Sequence, residues 1–175
     1  MSNPKKLAPT VIPVALEKAN RYRLLNEPRE AESICTDVLD VDPDNREAQI
    51  TLLLAITDQF HVDFHAALQR AKSALEQLDG EYEKAYYEGI IHERWAKAQL
   101  ARGAPDNVAS SWFLEAMHSY ERAEKLCDPN DPDPILRWNT CLRFMQRLRD
   151  QGLEQSSEDM AHDVEATFGD DVPPR

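Results

Sequence analysis

The sequence predicts an all-α protein, and three observations support this fold class. The 175 residues include only five glycines and are rich in Ala, Leu, Glu, Arg and Gln, which favour helices. Apolar residues recur three and four positions apart through most of the chain, as they do on one face of a helix. The eleven prolines fall in the N-terminal region, in turns and in the C-terminal region, so none interrupts a periodic apolar segment.

Apolar spacing predicts seven helices joined by short turns. In the first helix, residues 14–25, Leu16, Ala19 and Tyr22 recur at helical spacing, and Pro28 suits the first turn of the next helix. Because the turns are short, consecutive helices should pack as antiparallel neighbours. The remaining helices are predicted at residues 29–41, 46–59, 64–78, 81–102, 108–126 and 135–151.

One folded domain accounts for these helices. A chain of this length is long enough for one hydrophobic core but short for two domains. We expect an N-terminal arm at residues 1–12, a helical domain at 13–151 and an acidic tail at 152–175 that is partly disordered.

The tail shows a weaker helical pattern of its own. Gly152 should end the seventh helix, and Ser156 resembles the N-cap of a new one because acidic residues follow it. Met160, Val164 and Phe168 then recur every four residues, which predicts a weak amphipathic helix. We expect disorder beyond residue 169.

The negative charge of the protein is concentrated in its C-terminal region. The formal net charge is −12, and residues 150–175 hold eight acidic residues against one arginine, a net charge of −7. The other 149 residues therefore carry only −5. We expect no binding to nucleic acid or to a membrane, because anionic phosphates repel an acidic surface.

Three cysteines, Cys35, Cys127 and Cys141, are widely spaced in apolar helical patterns. An odd count without a C-x-x-C pair predicts small buried thiols in a reducing compartment. Lys5 and Lys6 precede no apolar signal segment, and no run approaches the roughly 20 apolar residues of a membrane span. We therefore expect a cytoplasmic protein.

The first two helices carry a recognisable set of residues. Ala19 and Ala31 provide small side chains where the helices should cross, Tyr22 is aromatic, and Pro43 closes the unit. This pattern in residues 12–45 resembles the tetratricopeptide repeat, a helix–turn–helix unit of about 34 residues, of the kind that bacterial repeat proteins contain.

A second unit, residues 46–80, fits the resemblance less well. It keeps alanines at Ala67, Ala71 and Ala74. It lacks the closing proline, and Leu53 stands where a small residue is expected.

The third unit is clearer but stretched. Gly89 takes the small position of the first helix, and Ala116, Tyr120 and Ala123 take their places in the second. Between Gly89 and Ala116 lie 26 residues, against 11 between the corresponding alanines of the first unit, so the third unit gains 15 residues. The resemblance implies a tetratricopeptide-like α-solenoid of about three helix pairs, closed by the seventh helix as a C-terminal cap.

The resemblance also implies where a partner would bind. In such solenoids the first helix of each pair lines a concave groove. Ile50, Leu54, Tyr86 and Ile90 would form an apolar strip with a polar rim, which suits a peptide or helix of another protein. Alternatively, the N-terminal arm, the tail or a second copy of the chain covers these residues. The full expected lining is Leu16, Asn20, Arg23, Ile50, Leu54, Thr57, Tyr86, Ile90, Glu93, Arg94, Asn139 and Arg143.

One subclass of the family clamps a C-terminal carboxylate with Lys and Asn on successive helices. Asn20 matches one of those positions, but Leu16 and Thr51 occupy two others, and Glu83 and Tyr87 replace the basic residues of the third unit. We therefore expect no such clamp.

Catalytic and metal sites are not predicted. His61 and His65 are four residues apart but lack a third ligand nearby. His92 begins a metalloprotease-like motif, but Ala96 stands where the second histidine is needed. Residues 128–134 are rich in Asp and Asn, yet they lack the glycine and distal Glu of a calcium loop.

The sequence thus favours a non-catalytic adaptor or scaffold with no cofactor, whose partner is another protein. One alternative is a self-assembling structural protein whose tail helix or incomplete last repeat packs on a second copy. The other is a metal-dependent enzyme that uses His61, His65 or His92.

Overall fold

A computed structural model describes residues 4–168, with side chains described for residues 4–151. Within these residues the protein is all-helical and contains no strand, as predicted. No helix in the described part is both long enough and apolar enough to cross a membrane. The elements are a short 3₁₀ helix (Pro9–Val11) followed by α1 (Ile12–Leu24), α2 (Pro28–Leu39), α3 (Arg46–Thr57), α4 (Phe64–Glu76), α5 (Glu81–Ala101), α6 (Asp106–Glu124) and α7 (Asp133–Phe168).

Each helix packs against the next one along the chain. In addition, α1 contacts α3, and α3 contacts α5. Short connections leave consecutive helices as neighbours, which is why the packing follows the order of the sequence.

The turns use the residue types that their backbone geometry requires. Asn26 has a φ of 61° and Gly103 a φ of 81°, so each adopts the left-handed conformation after a helix. Pro28 is the first residue of α2, where its missing N–H removes no helical hydrogen bond. The side chain of Asn45 caps α3 by accepting a hydrogen bond from the Ala48 N–H at 3.0 Å.

Small side chains let the first three helices approach closely. Ala19 on α1, Ala31 and Cys35 on α2 and Ala55 on α3 are fully buried and form one cluster. Larger residues here would hold the helix axes apart. The sequence predicted this role for Ala19 and Ala31.

Gly89 allows a close contact between α5 and α6. A Cβ atom at this position would lie 2.5 Å from Cε1 of Tyr120, well inside van der Waals contact. The Tyr120 ring therefore rests directly on the backbone of α5.

The described part of the N-terminal arm packs on the first helix pair. Leu7 contacts a core cluster that contains Leu16, Val38 and Ala48. The arm is shorter than predicted, because α1 begins at Ile12 rather than at residue 14. Residues 1–3 lie outside the described residues.

The seventh helix differs most from its prediction. It runs without a break from Asp133 to Phe168, through Gly152 and Ser156, so the predicted end at residue 151 and the predicted N-cap at Ser156 are wrong. An interior glycine disfavours a helix by only about 1 kcal/mol, and the surrounding sequence is rich in helix-forming Leu, Glu and Gln. Residues 169–175, where we expected disorder, lie outside the described residues.

Substituting Gly89→Ala should destabilise the fold by about 1–3 kcal/mol, because the added methyl group must displace the Tyr120 ring. Urea unfolding followed by circular dichroism measures the change. The control is Gln69→Ala on the exposed face of α4, which should shift stability by less than about 0.5 kcal/mol. Equal stability of the two variants would contradict the close contact.

The three thiols should differ sharply in reactivity. Burial raises the pKa of Cys35 and of Cys141 to about 12, whereas the Cys127 side chain is partly exposed. Near pH 8 the native protein should react rapidly with Ellman's reagent at one thiol per chain, and the denatured protein at three. Rapid reaction of two or more thiols in the native protein would contradict the burial of Cys35 and Cys141.

The same pKa shifts set a pH dependence. The pKa of each buried thiol is higher in the folded chain than its ordinary value of 9.0, so the unfolded chain loses these protons first as the pH rises. The contribution of these two thiols to the free energy of unfolding is therefore fully present below pH 9 and is lost between pH 9 and about 12. Replacing both cysteines with alanine should remove this part of the decline.

Candidate functional site

A pocket lies between α3, α5 and α7, and we call it the odd-helix pocket. Its volume is about 410 Å³, within the range of roughly 300–1,000 Å³ that is common for binding clefts. The lining residues are Thr57, Asp58, Phe60, His61, Glu93, Arg94, Lys97, Ala98, Ala101 and Arg137.

One wall is organised around Asp58, just after the end of α3. Arg94 on α5 donates to Asp58 Oδ1 at 2.5 Å, and Arg23 on α1 donates to Asp58 Oδ2 at 2.9 Å. Arg94 also donates to the Thr57 hydroxyl at 2.6 Å and to the Leu54 carbonyl at 3.1 Å. One carboxylate thus joins two guanidinium groups and connects α1, α3 and α5.

Burial lowers the pKa of Arg94, and the nearby Asp58 carboxylate opposes that shift. Guanidinium groups stay protonated in proteins, so Arg94 remains a cation inside this wall.

The other wall is organised around Glu93, which is only 1% exposed. Lys97 Nζ donates to Glu93 Oε1 at 2.5 Å, and the Tyr120 hydroxyl donates to Glu93 Oε2 at 2.8 Å. Arg137 on α7 places Nη1 3.6 Å from Oε1. A buried carboxylate requires such partners, and here they come from α5, α6 and α7.

The protonation states of this wall follow from its packing. Burial, and next the charge of Glu93, raise the pKa of Tyr120, so its hydroxyl stays protonated and donates. Burial alone lowers the pKa of Arg137, but Glu93 and the hydrogen bond with Tyr86 raise it by more. Both groups therefore keep their protons at neutral pH.

The two walls together carry an excess of positive charge. Four cations share two carboxylates, which gives a net charge of +2 in a chain whose total is −12. We call these six residues the cation cluster. They are Arg23, Arg94, Lys97 and Arg137 with Asp58 and Glu93.

The chemistry of the cluster suits the binding of an anion. Guanidinium and ammonium groups donate several hydrogen bonds each, and their charge strengthens hydrogen bonds to carboxylate oxygens. His61, at the rim of the pocket, and His65 are both exposed. In the part of the chain with described side chains, no group of three His, Cys, Asp or Glu residues is placed to hold a metal ion.

The expected apolar strip is not an open surface. Tyr86 and Ile90 are 8% and 2% exposed, because they pack in one cluster with Phe113 of α6. Ile50 and Leu54 are half-buried against the core. The neighbours of α5 cover its apolar side chains, whereas the charged side chain of Lys97 on the same helix stays partly exposed.

The other eight residues of the expected lining divide into two groups. Three of them, Thr57, Glu93 and Arg94, line the odd-helix pocket, and a fourth, Arg23, is joined to it through its ion pair with Asp58. The others lie elsewhere: Leu16 is core, Asn20 accepts a hydrogen bond from Thr51, Arg143 is exposed, and Asn139 lines a separate hollow between α6 and α7.

Sequence reasoning missed Asp58 and Arg137. Arg23 and Asp58 are 35 residues apart, and Arg137 reaches Glu93 from a different helix, so no local pattern links these partners. Only the Glu93–Lys97 pair left a sequence signal, since opposite charges four residues apart meet on one helix face.

Replacing Tyr120 with Phe should destabilise the protein by about 1–3 kcal/mol, because the buried Glu93 carboxylate loses a hydrogen bond. The matched control is Tyr82→Phe, which removes a hydroxyl that donates to the partly exposed carboxylate of Asp131 at 2.6 Å. Urea unfolding should show a clearly larger loss for Tyr120→Phe. An equal loss of stability in both variants would mean that the hydrogen bond to the buried Glu93 contributes no more than the bond to Asp131.

Comparisons of this chain with protein-family models, with curated proteins and with solved structures found no match. Membership of the tetratricopeptide family therefore stays a prediction, carried by residues such as Ala19, Ala31 and Gly89.

Proposed function

We propose that the protein is a non-catalytic interaction module that holds a segment of another protein at the odd-helix pocket. The observation that carries this proposal is the cation cluster, in which hydrogen bonds between helices fix charged donors in place. Lys97 and Arg137 nevertheless keep 40% and 38% of their side-chain surface exposed. Donors held in position before binding lose little entropy when a ligand arrives.

Exposed apolar side chains near the pocket support the same function. Leu24, Leu25 and Val62 lie in or beside the turns that follow α1 and α3, and they are 88%, 61% and 61% exposed. His61 and Val62 also line a smaller hollow of about 230 Å³, so it adjoins the odd-helix pocket through His61. A bound segment would make apolar contacts here and polar contacts with the cluster, as interfaces combine them.

The pairing of charges argues for binding rather than catalysis. A general base must be free to accept a proton, whereas Asp58 and Glu93 each already face two cations. A cytoplasmic location also belongs to this proposal, since the three cysteines are unpaired thiols.

Affinity purification from native cells tests the proposal with tagged full-length protein. His61→Glu adds a negative charge at the exposed rim and should reduce the recovered partner by about tenfold or more. The control is Gln69→Glu, which introduces the same side chain and the same negative charge on the exposed face of α4 and should leave recovery unchanged. Undiminished recovery with His61→Glu would place the partner elsewhere.

A further inference from the structure

We propose that the odd-helix pocket binds the acidic C-terminal segment, residues 152–175, of a second copy of this chain. Such self-association does not depend on a foreign partner, so it can hold or fail independently of the function proposed above.

The segment and the pocket carry opposite charges. Residues 152–175 contain seven acidic residues and one arginine, a net charge of −6. The cation cluster carries +2, and its two carboxylates are already shared by four cations. Further N–H groups of Lys97 and Arg137 therefore remain available to an incoming carboxylate.

The segment cannot reach the pocket of its own chain. Arg137 lines the pocket and belongs to α7, which continues unbroken to Phe168. At 1.5 Å per residue, Phe168 lies about 46 Å along the helix from Arg137. The seven residues after it span at most about 25 Å when fully extended. Glu154, the nearest acidic residue of the segment, is itself about 25 Å from Arg137 along the same axis.

A second copy removes this restriction. α7 contains 36 residues and extends about 54 Å, so its C-terminal half can meet the pocket of another molecule. If each copy offers its segment to the other, both pockets are filled and a two-fold dimer closes.

A second basic hollow competes for the same segment. It lies between α5 and α6, and Lys84, Arg122 and Lys125 line it together with Glu81. All three cations are exposed, and the Arg122 side chain is 61% exposed. Solvent and salt screen exposed charges more than half-buried ones, so the odd-helix pocket is the stronger site.

The first experiment measures the mass of the full-length protein by sedimentation equilibrium. In low salt the mass should rise with concentration towards that of a dimer, and high salt should weaken the association by about tenfold or more through screening. Neutralising the segment with Asp163→Asn, Glu165→Gln, Asp170→Asn and Asp171→Asn should leave a monomer that keeps the helical circular dichroism spectrum of the wild type. A wild-type protein that stays monomeric at every concentration overturns the proposal.

A matched control separates the effect of charge in the segment from the effect of net charge on the whole protein. Asp44→Asn, Glu76→Gln, Asp79→Asn and Glu124→Gln remove the same four charges from exposed positions of the folded body. Lower net charge weakens general repulsion, so this variant should associate at least as well as wild type. Loss of association in the control as well would overturn the assignment to the segment.

Cross-linking then locates the contact. A carbodiimide joins lysine to a nearby carboxylate, and mixing ¹⁴N- with ¹⁵N-labelled full-length protein marks links between copies. We expect mixed-isotope peptides that join Lys97 to residues 152–175. Links of the segment to Lys84 or Lys125 instead, or links to Lys97 within one copy only, would overturn the proposal. Recovery of a foreign partner with His61→Glu is a separate measurement. Failure of self-association therefore does not decide the proposed function, and failure of partner recovery does not decide self-association.

Discussion

The buried carboxylate of Glu93 is the constraint on which the central part of the structure depends. A carboxylate moved out of water costs several kcal/mol unless cations and donors replace its hydration. Lys97, Tyr120 and Arg137 provide those groups from α5, α6 and α7. These three helices must therefore keep fixed positions relative to one another. The contact with Tyr120 is possible because Gly89, one turn earlier, presents no side chain to its ring.

A second carboxylate extends this constraint to the other half of the molecule. Asp58 joins Arg23 and Arg94, and so links α1 and α3 to the same long helix that carries Glu93. Half-buried ion pairs contribute little net stability, because desolvation opposes their attraction. Their effect here is geometric, since they fix the charged side chains that surround the odd-helix pocket. The pocket is thus a consequence of how the helices are held together.

Much of the fold was predictable because its signals are local. Apolar spacing located the seven α-helices found in residues 4–168, and small residues such as Ala19 and Ala31 marked where helices cross. The end of α7 was not predictable from Gly152, because the penalty of one interior glycine is small beside the preference of its neighbours. The site was predicted only in part. Glu93 and Arg94 were found, but Asp58 and Arg137 acquire their roles from partners that are distant in sequence.

Two members of the predicted apolar strip, Tyr86 and Ile90, are buried, and their burial changes how binding at this face is understood. Periodicity shows that Tyr86 and Ile90 lie on an apolar helix face, but it does not show which neighbour covers that face. With those residues buried, a ligand of the proposed pocket would be selected by charge, because a local charge of +2 on an acidic protein favours carboxylates over most other groups. The chain's own C-terminal segment and any acidic partner would then compete for Lys97 and Arg137. Self-association and partner binding at this pocket would therefore exclude each other, and the concentration of the protein would set which one prevails.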